Sequence, residues 1–336
     1  MQSILVTGGA GFIASNFCRH MLSKYPDYNI LVLDALTYAG NMDNLKDMER
    51  NPRFMFFHGD IRDKEIVDNV VRNVDAIINF AAESHVDRSI TDPGGFVLTD
   101  VFGVYTLLEA ARKFGIEKFV HISTDEVYGS IPVGSFKEGD PLEPNSPYSS
   151  SKAGGELLAR SYFVTYDLPV IVTRGSNNYG CYQYPEKLIP FFITNALDDQ
   201  PLPVYGDGGQ IRDWIYVIDH CEGIDAALHN GKPGNAYNIG GGNERTNMEI
   251  TKLILKLLDK PDSLIKHVTD RPGHDRRYSL DCAKSKAELG WAPRYKFEDA
   301  MQETVRWYID NQEWWRKIKE GQADYKEFSK KWYAGR

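Results

Sequence analysis

"ILVTGGAGFIAS" spans Ile4–Ser15, and its reading decides the fold. A short apolar run ends at Gly8 and Gly9, and Gly11 precedes an apolar stretch of helical character. That order is a strand, a glycine-rich turn and a helix start. The glycines fit Gly9-x-Gly11-x-x-Ala14 and equally Gly8-x-x-Gly11-x-x-Ala14. Glycine permits the tight turn and lets the backbone approach a pyrophosphate, which sits on the helix N-terminus. A glycine turn alone is often an ordinary strand-to-helix connection. Asp34 adds the second signal: it closes the strand "NILVLD", 23 residues beyond Gly11. An acid at that distance accepts from the adenosine ribose hydroxyls and repels a 2′-phosphate, favouring NAD over NADP. "HGDI" after the third strand adds Asp60 and Ile61 as candidates for the adenine edge.

Outward from this unit, short β-branched runs alternate with longer amphipathic stretches. Strands are expected at Ser3–Thr7, Ile30–Leu33, Phe54–His58, Ala76–Phe80, Lys118–Ile122 and Val170–Thr173. Helices are expected at Ile13–Lys24, Lys64–Arg72, Phe96–Phe114 and Pro147–Tyr166. The alternation predicts an α/β fold with a Rossmann-type doubly wound parallel sheet. Consecutive apolar residues in each strand suit strands covered on both faces. After residue 174, Gly, Pro, Asn and Tyr become dense and the elements shorten, with helices at Asn247–Leu258 and Phe297–Asp310. The predicted division is a dinucleotide-binding domain at 1–175 and a smaller mixed α/β substrate-binding region at 176–336. The tail 313–336 reads as a helix with aromatic packing.

A chain of 336 residues, 42% hydrophobic and 26% charged, has the composition of a water-soluble globular protein with a sizeable core. A net charge of −8 argues against a nucleic-acid surface, but leaves room for a basic pocket for an anionic small molecule. Cys18, Cys181, Cys221 and Cys282 are scattered and form no CxxC pair, so neither a zinc site nor a disulfide framework is expected. The N-terminus does not read as a signal peptide, and no run reads as a membrane span. Together these predict a cytoplasmic protein without nucleic-acid or membrane partners.

The chemistry-bearing stretches follow the fifth and precede the sixth strand. "SPYSSSKAGGE" has Ser146 as helix N-cap, Pro147 in the first turn, and Tyr148 and Lys152 four apart on one helix face. A free tyrosine titrates near ~10. A neighbouring ammonium and an oxidised nicotinamide both favour the phenolate, which makes Tyr148 a candidate base. "HISTDEVYGS" places Asp125 and Glu126 side by side at a strand end. Adjacent carboxylates repel one another and resist desolvation, so their pairing asks for a chemical reason.

The chain resembles the extended short-chain dehydrogenase/reductase family and, within it, the dTDP-glucose 4,6-dehydratases. "TGGAGFI", "LDALTYAGN", "AAESHVDRSI", "STDEVYG", "YSSSKA", "SNNYG", "PEKLIP", "GQIRDWIYV", "YNIGG" and "DRPGHDRRY" carry the resemblance, in order from residue 7 to 278. It implies NAD as cofactor, dTDP-glucose as substrate and a 4-keto-6-deoxy product that feeds deoxysugar synthesis. The implied chemistry accounts for the acid pair. Oxidation at C4 makes the C5 proton removable, one group takes that proton, and another protonates the departing C6 hydroxyl. Adjacent acids whose environments separate their pKa values supply both states.

By resemblance, Asp125 is the acid to the leaving hydroxyl, Glu126 the base at C5 and Tyr148 the base at O4. Lys152 supports Tyr148 and contacts the ribose, and Thr124 adds a second hydrogen bond to O4. The same pattern implies NAD contacts from Gly8, Gly11, Phe12, Ile13, Asp34, Leu36, Thr37, Asp60, Ile61, Ala81, Ala82, Ser84, Thr99 and Asn178. It implies substrate contacts from Ser84, Thr124, Asn177, Glu186, Lys187, Leu188, Pro203, Tyr205, Arg212, Asn247, Arg271 and His274, the arginines clamping a diphosphate. His85 is expected to be structural. A homodimer through the helices near 96–114 and 147–166 is implied as well.

The chain departs from the family pattern in three places. Ala14 replaces the third glycine. Asp100 stands where asparagine is usual, followed by Val104 for threonine. Gly175 and Cys181 stand where Cys and Pro are common. Asp100 puts an extra charge near Lys152. Among rival activities on this scaffold, a 4-epimerase needs no acid pair at C5 and C6. A UDP-glucuronate decarboxylase must recognise a sugar carboxylate. A non-catalytic NAD sensor would be expected to lose Tyr148, Lys152 or Glu126, and all three are present.

Overall fold

The computed structural model describes residues 1–322 and 325–326. Its first half runs β1 (Ser3–Thr7), α1 (Phe12–Lys24), β2 (Asn29–Asp34), β3 (Phe54–His58), α2 (Lys64–Val71), β4 (Ala76–Asn79), α3 (Val86–Thr91), α4 (Pro93–Val97), α5 (Val104–Phe114), β5 (Lys118–Thr124), α6 (Pro147–Tyr166) and β6 (Val170–Gly175). The second half adds β7 (Asn177–Tyr179), α7 (Leu188–Leu197), β8 (Leu202–Tyr205), β9 (Ile211–Tyr216), α8 (Val217–Asn230), β10 (Ala236–Ile239), β11 (Glu244–Thr246), α9 (Asn247–Leu257), β12 (Ile265–Val268), α10 (Phe297–Asp310) and α11 (Gln312–Gly321).

One seven-stranded sheet has the order β10-β6-β5-β4-β1-β2-β3, and every neighbouring pair is parallel. Successive residues of β1 go to opposite faces. Ile4 and Val6 join the core that holds Phe17 of α1 and Ile224 of α8. Leu5 joins the core of Val67 on α2, Leu107 on α5 and Ala159 on α6. Burial on both faces is why these strands read as unbroken apolar runs. The chain winds one way from β1 through β2 to β3 and the other way from β4 outward. The crevice at the carboxyl ends of β1 and β4 is therefore the natural ligand site.

All six expected strands form, and β5 and β6 each run two residues further, to Thr124 and Gly175. The seventh strand lies outside that set. β10 is only "AYNI", and it returns from the second half to pair with β6, Ala236 opposite Val172. A four-residue apolar run does not say which sheet it joins. The smaller sheets are β11-β9-β7 and β12-β8. The expected tail helix begins as α11, and residues beyond 326 lie outside the described part.

The helix expected near 96–114 is a continuous run from Pro93 to Phe114 whose middle, Leu98–Gly103, is a wider π turn. At 22 residues, with an 18-residue window of mean hydropathy 1.2, it is long and apolar enough to cross a membrane, which the sequence reading did not anticipate. Half of it is buried inside the fold. α6 packs hard on this turn, because a Cβ at Gly155 would lie 2.3 Å from the Asp100 carbonyl. The missing side chain brings Asp100 against Ser151 and Lys152.

Candidate active site

A cavity of about 310 Å³ opens at the carboxyl edge of the sheet, bordered by Gly8, Asp34, Ala81, Thr124, Tyr148 and Gly175. Gly8 has φ +67, and a Cβ there would lie 2.8 Å from the Ala81 amide nitrogen. The turn thus needs glycine both for its conformation and for its close approach. α1 starts behind Gly11 with no side-chain cap and no acid in its first turn. Its free N–H groups suit a phosphate that borders the same cavity. Asp34 accepts from Ala10 N–H at 2.9 Å and Leu36 N–H at 2.7 Å, so it also shapes the glycine loop. Each carboxylate oxygen keeps a lone pair for a ribose hydroxyl.

Of the other expected cofactor residues, Gly11, Phe12, Ile13, Thr37, Asp60 and Ile61 border the cavity, as do Ala82, Ser84, Thr99 and Asn178. Leu36 does not; it contributes its N–H to Asp34. The Asp60 carboxylate is held by Arg62 Nε at 2.8 Å.

Thr124 ends β5 and caps the short turn Asp125–Tyr128, accepting from Glu126 N–H at 3.3 Å. It donates to Asp125 Oδ1 at 3.1 Å. Asp125 is 2% exposed, and its Oδ2 has no partner among the described residues. Burial, then the charges of Glu126 and Asp213, push its pKa well above the usual carboxylate range. Glu126 is also raised by burial, but Arg271, Arg212 and Lys187 oppose that rise. The two neighbours therefore differ in surroundings: burial and two carboxylates favour the neutral form of Asp125, while three cations favour the charged form of Glu126. That is the separation an acid and a base need.

Ser146 and Ser149 form a capping box at the start of α6, with Pro147 in its first turn, which fixes Tyr148 and Lys152 at the cavity wall. Lys152 is buried and donates to the Ile122 carbonyl at 2.7 Å. Burial lowers its pKa, and Asp100 and Glu156 oppose the drop. Tyr148 departs from expectation. Burial, then Glu126, Asp100 and Asp125, push the phenol well above its usual value. Burial and three nearby carboxyl groups thus disfavour the phenolate, against a hydrogen bond with Thr124 that favours it.

Asp100 is 1% exposed, accepting from Glu83 N–H at 2.9 Å and from Ser151 Oγ at 2.6 Å. Burial raises its pKa to about 6, against the pull of Lys152. The extra acid is thus hydrogen-bonded to Ser151, between Tyr148 and Lys152 in the chain.

A second cavity of about 150 Å³ adjoins the first, sharing Glu126, Asn177, Glu186 and Lys187. Leu188, Pro203, Tyr205, Arg212, Asn247, Arg271 and His274, distant in sequence, all border it. Arg212 is positioned by donating to the carbonyls of Ile211 and Asp275, and it stacks 4.2 Å over the Tyr278 ring. His274 Nδ1 is 2.6 Å from Asp270, and burial lowers its pKa to about 4. Glu186 is committed to Arg88 at 3.0 Å, and Lys187 donates to the Ser84 carbonyl. Asn177 Oδ1, Asn247 Oδ1 and Arg271 Nε are buried without partners among the described residues. Unsatisfied polar atoms converging on one cavity suit a polar, anionic ligand.

The comparisons with known proteins agree with this geometry. A family model described as GDP-mannose 4,6 dehydratase matches residues 5–304. A dTDP-glucose 4,6-dehydratase of Actinoplanes sp. is 51% identical over 319 residues, covering 94% of this chain and 100% of the relative. The chain belongs to the dTDP-glucose 4,6-dehydratase family. Within that family, the crystal structure of DesIV from Streptomyces venezuelae, with NAD bound, superposes with a TM-score of 0.93 at 53% identity. It covers 94% of this chain and 100% of that one. The dTDP-glucose 4,6-dehydratase of Bacillus anthracis, in complex with NAD, gives a TM-score of 0.89 at 51% identity, covering 95% and 100%.

Two residues at the dehydratase site escaped the sequence reading. Asp87 is 3% exposed, holding Arg271 at 2.8 Å and the Tyr205 hydroxyl at 2.9 Å, so it orients two expected substrate contacts. It stands in "AAESHVDRSI", whose resemblance was noted without assigning that position a role. His220 borders the first cavity from α8, and nothing in "YVIDHCE" marks it as more than a buried helix residue.

Proposed function

We propose that the protein is an NAD-dependent hydro-lyase that converts dTDP-glucose to dTDP-4-keto-6-deoxyglucose. The observation that carries this reading is Asp125–Glu126 at the junction of the two cavities, one acid favoured in its neutral form and the other facing cations. Bound NAD supplies the chemistry of accepting a hydride from sugar C4 and returning it to C6. The glycine turn, the α1 N-terminus and Asp34 hold it, and the protein supplies the proton transfers. Tyr148 receives the O4 proton, with Thr124 turning its hydroxyl proton from Asp125 to O4 and Lys152 fixing the charge balance. Glu126 removes the C5 proton made acidic by the C4 ketone. Asp125 gives its proton to the departing C6 hydroxyl, which leaves as water, and Glu126 returns its proton to C5 to complete the 6-deoxy sugar. An epimerase has no use for this pair.

The first 175 residues supply most of the cofactor site, and 176–336 mainly the nucleotide-sugar site. Arg212 and Arg271 meet the diphosphate. The protein acts in the cytoplasm as a homodimer. The dimer reading is supported by Val97, Leu98, Phe102 and Tyr105, exposed by 43% to 55%, and by Leu157, Val164 and Tyr166, exposed by 50% to 64%. A strip of large apolar side chains on two adjacent helices suits a four-helix contact between two copies. Incubation with dTDP-glucose, UDP-glucose and GDP-mannose, followed by mass, tests the activity. Loss of one water from dTDP-glucose without net NADH is expected; an unchanged mass with a new stereoisomer refutes it.

A further inference from the structure

His220 is 1% exposed yet borders the larger cavity. Its Nδ1 lies 2.9 Å from Asn178 Oδ1, while Asn178 Nδ2 donates to the Ser176 carbonyl at 3.0 Å. Because the amide nitrogen is committed to a carbonyl, the amide oxygen faces the ring. Nδ1 therefore carries the proton, and Nε2 presents a lone pair. Burial keeps the imidazole neutral, lowering its pKa to about 3. Nε2 has no partner among the described residues, and a buried polar atom in that state asks for an explanation.

Gly175 sets where this lone pair sits. A Cβ at Gly175 would lie 2.6 Å from His220 Nε2 and 2.7 Å from Cε1, so the ring fills the space that a side chain would take. Gly175 is the sheet partner of Thr124, which places the notch beside the residues assigned to O4. The end of the cofactor that must reach this place is the nicotinamide, whose only N–H donors belong to its carboxamide.

The geometry points to His220 as a cofactor-binding residue whose Nε2 accepts an N–H from the nicotinamide carboxamide. The assignment rests on the reading of this cavity as the NAD site. The hydrogen bond fixes the rotation of the nicotinamide ring, and with it the face offered to the sugar.

The test uses the full chain freed of bound dinucleotide, titrated calorimetrically with NAD and with 3-acetylpyridine adenine dinucleotide. In the latter a methyl ketone replaces the carboxamide and donates nothing. Wild type should prefer NAD, and His220→Ala should shrink that preference by about three- to tenfold. A preference unchanged within about twofold, with NAD still bound, overturns the role of His220 alone. Failure of wild type to bind either dinucleotide overturns the cavity reading as well. If His220→Ala does not fold, wild type labelled with ¹⁵N-histidine decides. The acceptor nitrogen should shift upfield on adding NAD and not on adding the analogue; no shift with NAD refutes the assignment.

Discussion

Asp100→Asn should make the protein more stable, by an amount that depends on pH. Burial pushes the native carboxyl up to about 6 from its ordinary value of 3.8, outweighing the help of Lys152, Ser151 and the Glu83 N–H. Between those values the native state holds the proton more tightly than the unfolded chain. Stability from this group is therefore present at low pH and lost as pH rises from ~4 through ~6. A shift of roughly 2 units corresponds to about 3 kcal/mol once Asp100 is ionised. Asparagine can keep both hydrogen bonds: its oxygen accepts from Glu83 N–H, and its NH₂ donates to Ser151 Oγ. Ser151 can then turn its own proton to the Tyr148 carbonyl, 2.8 Å away. The variant thus behaves as a permanently protonated Asp100. The gain should be about 3 kcal/mol at pH 8 and about half that at pH 5. For a chain of this size that is a rise in Tm of roughly 5 °C at pH 8. Thermal unfolding by circular dichroism at pH 8, 7, 6 and 5 measures it. An equal or lower Tm at pH 8, or a gap that does not shrink at pH 5, refutes the reasoning. A fall in turnover alongside the gain would show that the buried charge serves Lys152.

Glu126→Gln should slow elimination by roughly 10²- to 10⁴-fold while NADH accumulates, read by absorbance and product mass; wild-type dehydration would remove Glu126 from its role. Asp213→Asn takes away one of the charges that raise Asp125, so the Asp125 pKa should fall and the alkaline limb of the pH–rate profile should move to lower pH. An unmoved limb would dissociate Asp125 from that limb. Asp87→Asn loosens Arg271 and Tyr205, and should raise KM for dTDP-glucose about tenfold with a smaller change in kcat. Asp225, 1% exposed, accepts from Lys24 and the Tyr25 hydroxyl, and hydrogen bonds with His20, His229 and Lys24 hold its pKa below the usual range against burial. Asp225→Asn should cost roughly 3 kcal/mol in denaturant unfolding at pH 7. The deficit should be full above the ordinary value of 3.8 and narrow progressively as pH falls below it towards the lowered native pKa.

The six main strands and the helices between them were legible because both faces of the sheet are covered, which leaves unbroken apolar runs, and because Ser146-Pro147 is a local start signal; α8 was not among the expected helices. β10 was not, since its four residues carry no information about which sheet they join. The candidate site divides along the same line. Gly8, Gly11 and Asp34 sit at fixed spacing in one strand–turn–helix–strand unit, so their relation is local. Asp125 and Glu126 lie in one short motif at the end of β5, and Tyr148 and Lys152 in another at the start of α6.

What the sequence determined by itself is the class of chemistry: a dinucleotide turn, a Tyr–Lys helix pair and two adjacent acids, each a matter of residue type at short separation. Only the tertiary structure decided their protonation, because desolvation and charge depend on neighbours far along the chain. Asp213 raises Asp125, and Arg212, Arg271 and Lys187 restrain Glu126. Gly155 draws α6 onto Asp100, and Gly175 makes room for His220, whose partner Asn178 is 42 residues away in sequence. No local pattern carries such long-range packing, because it arises only when close approach of backbones excludes water from the groups between them.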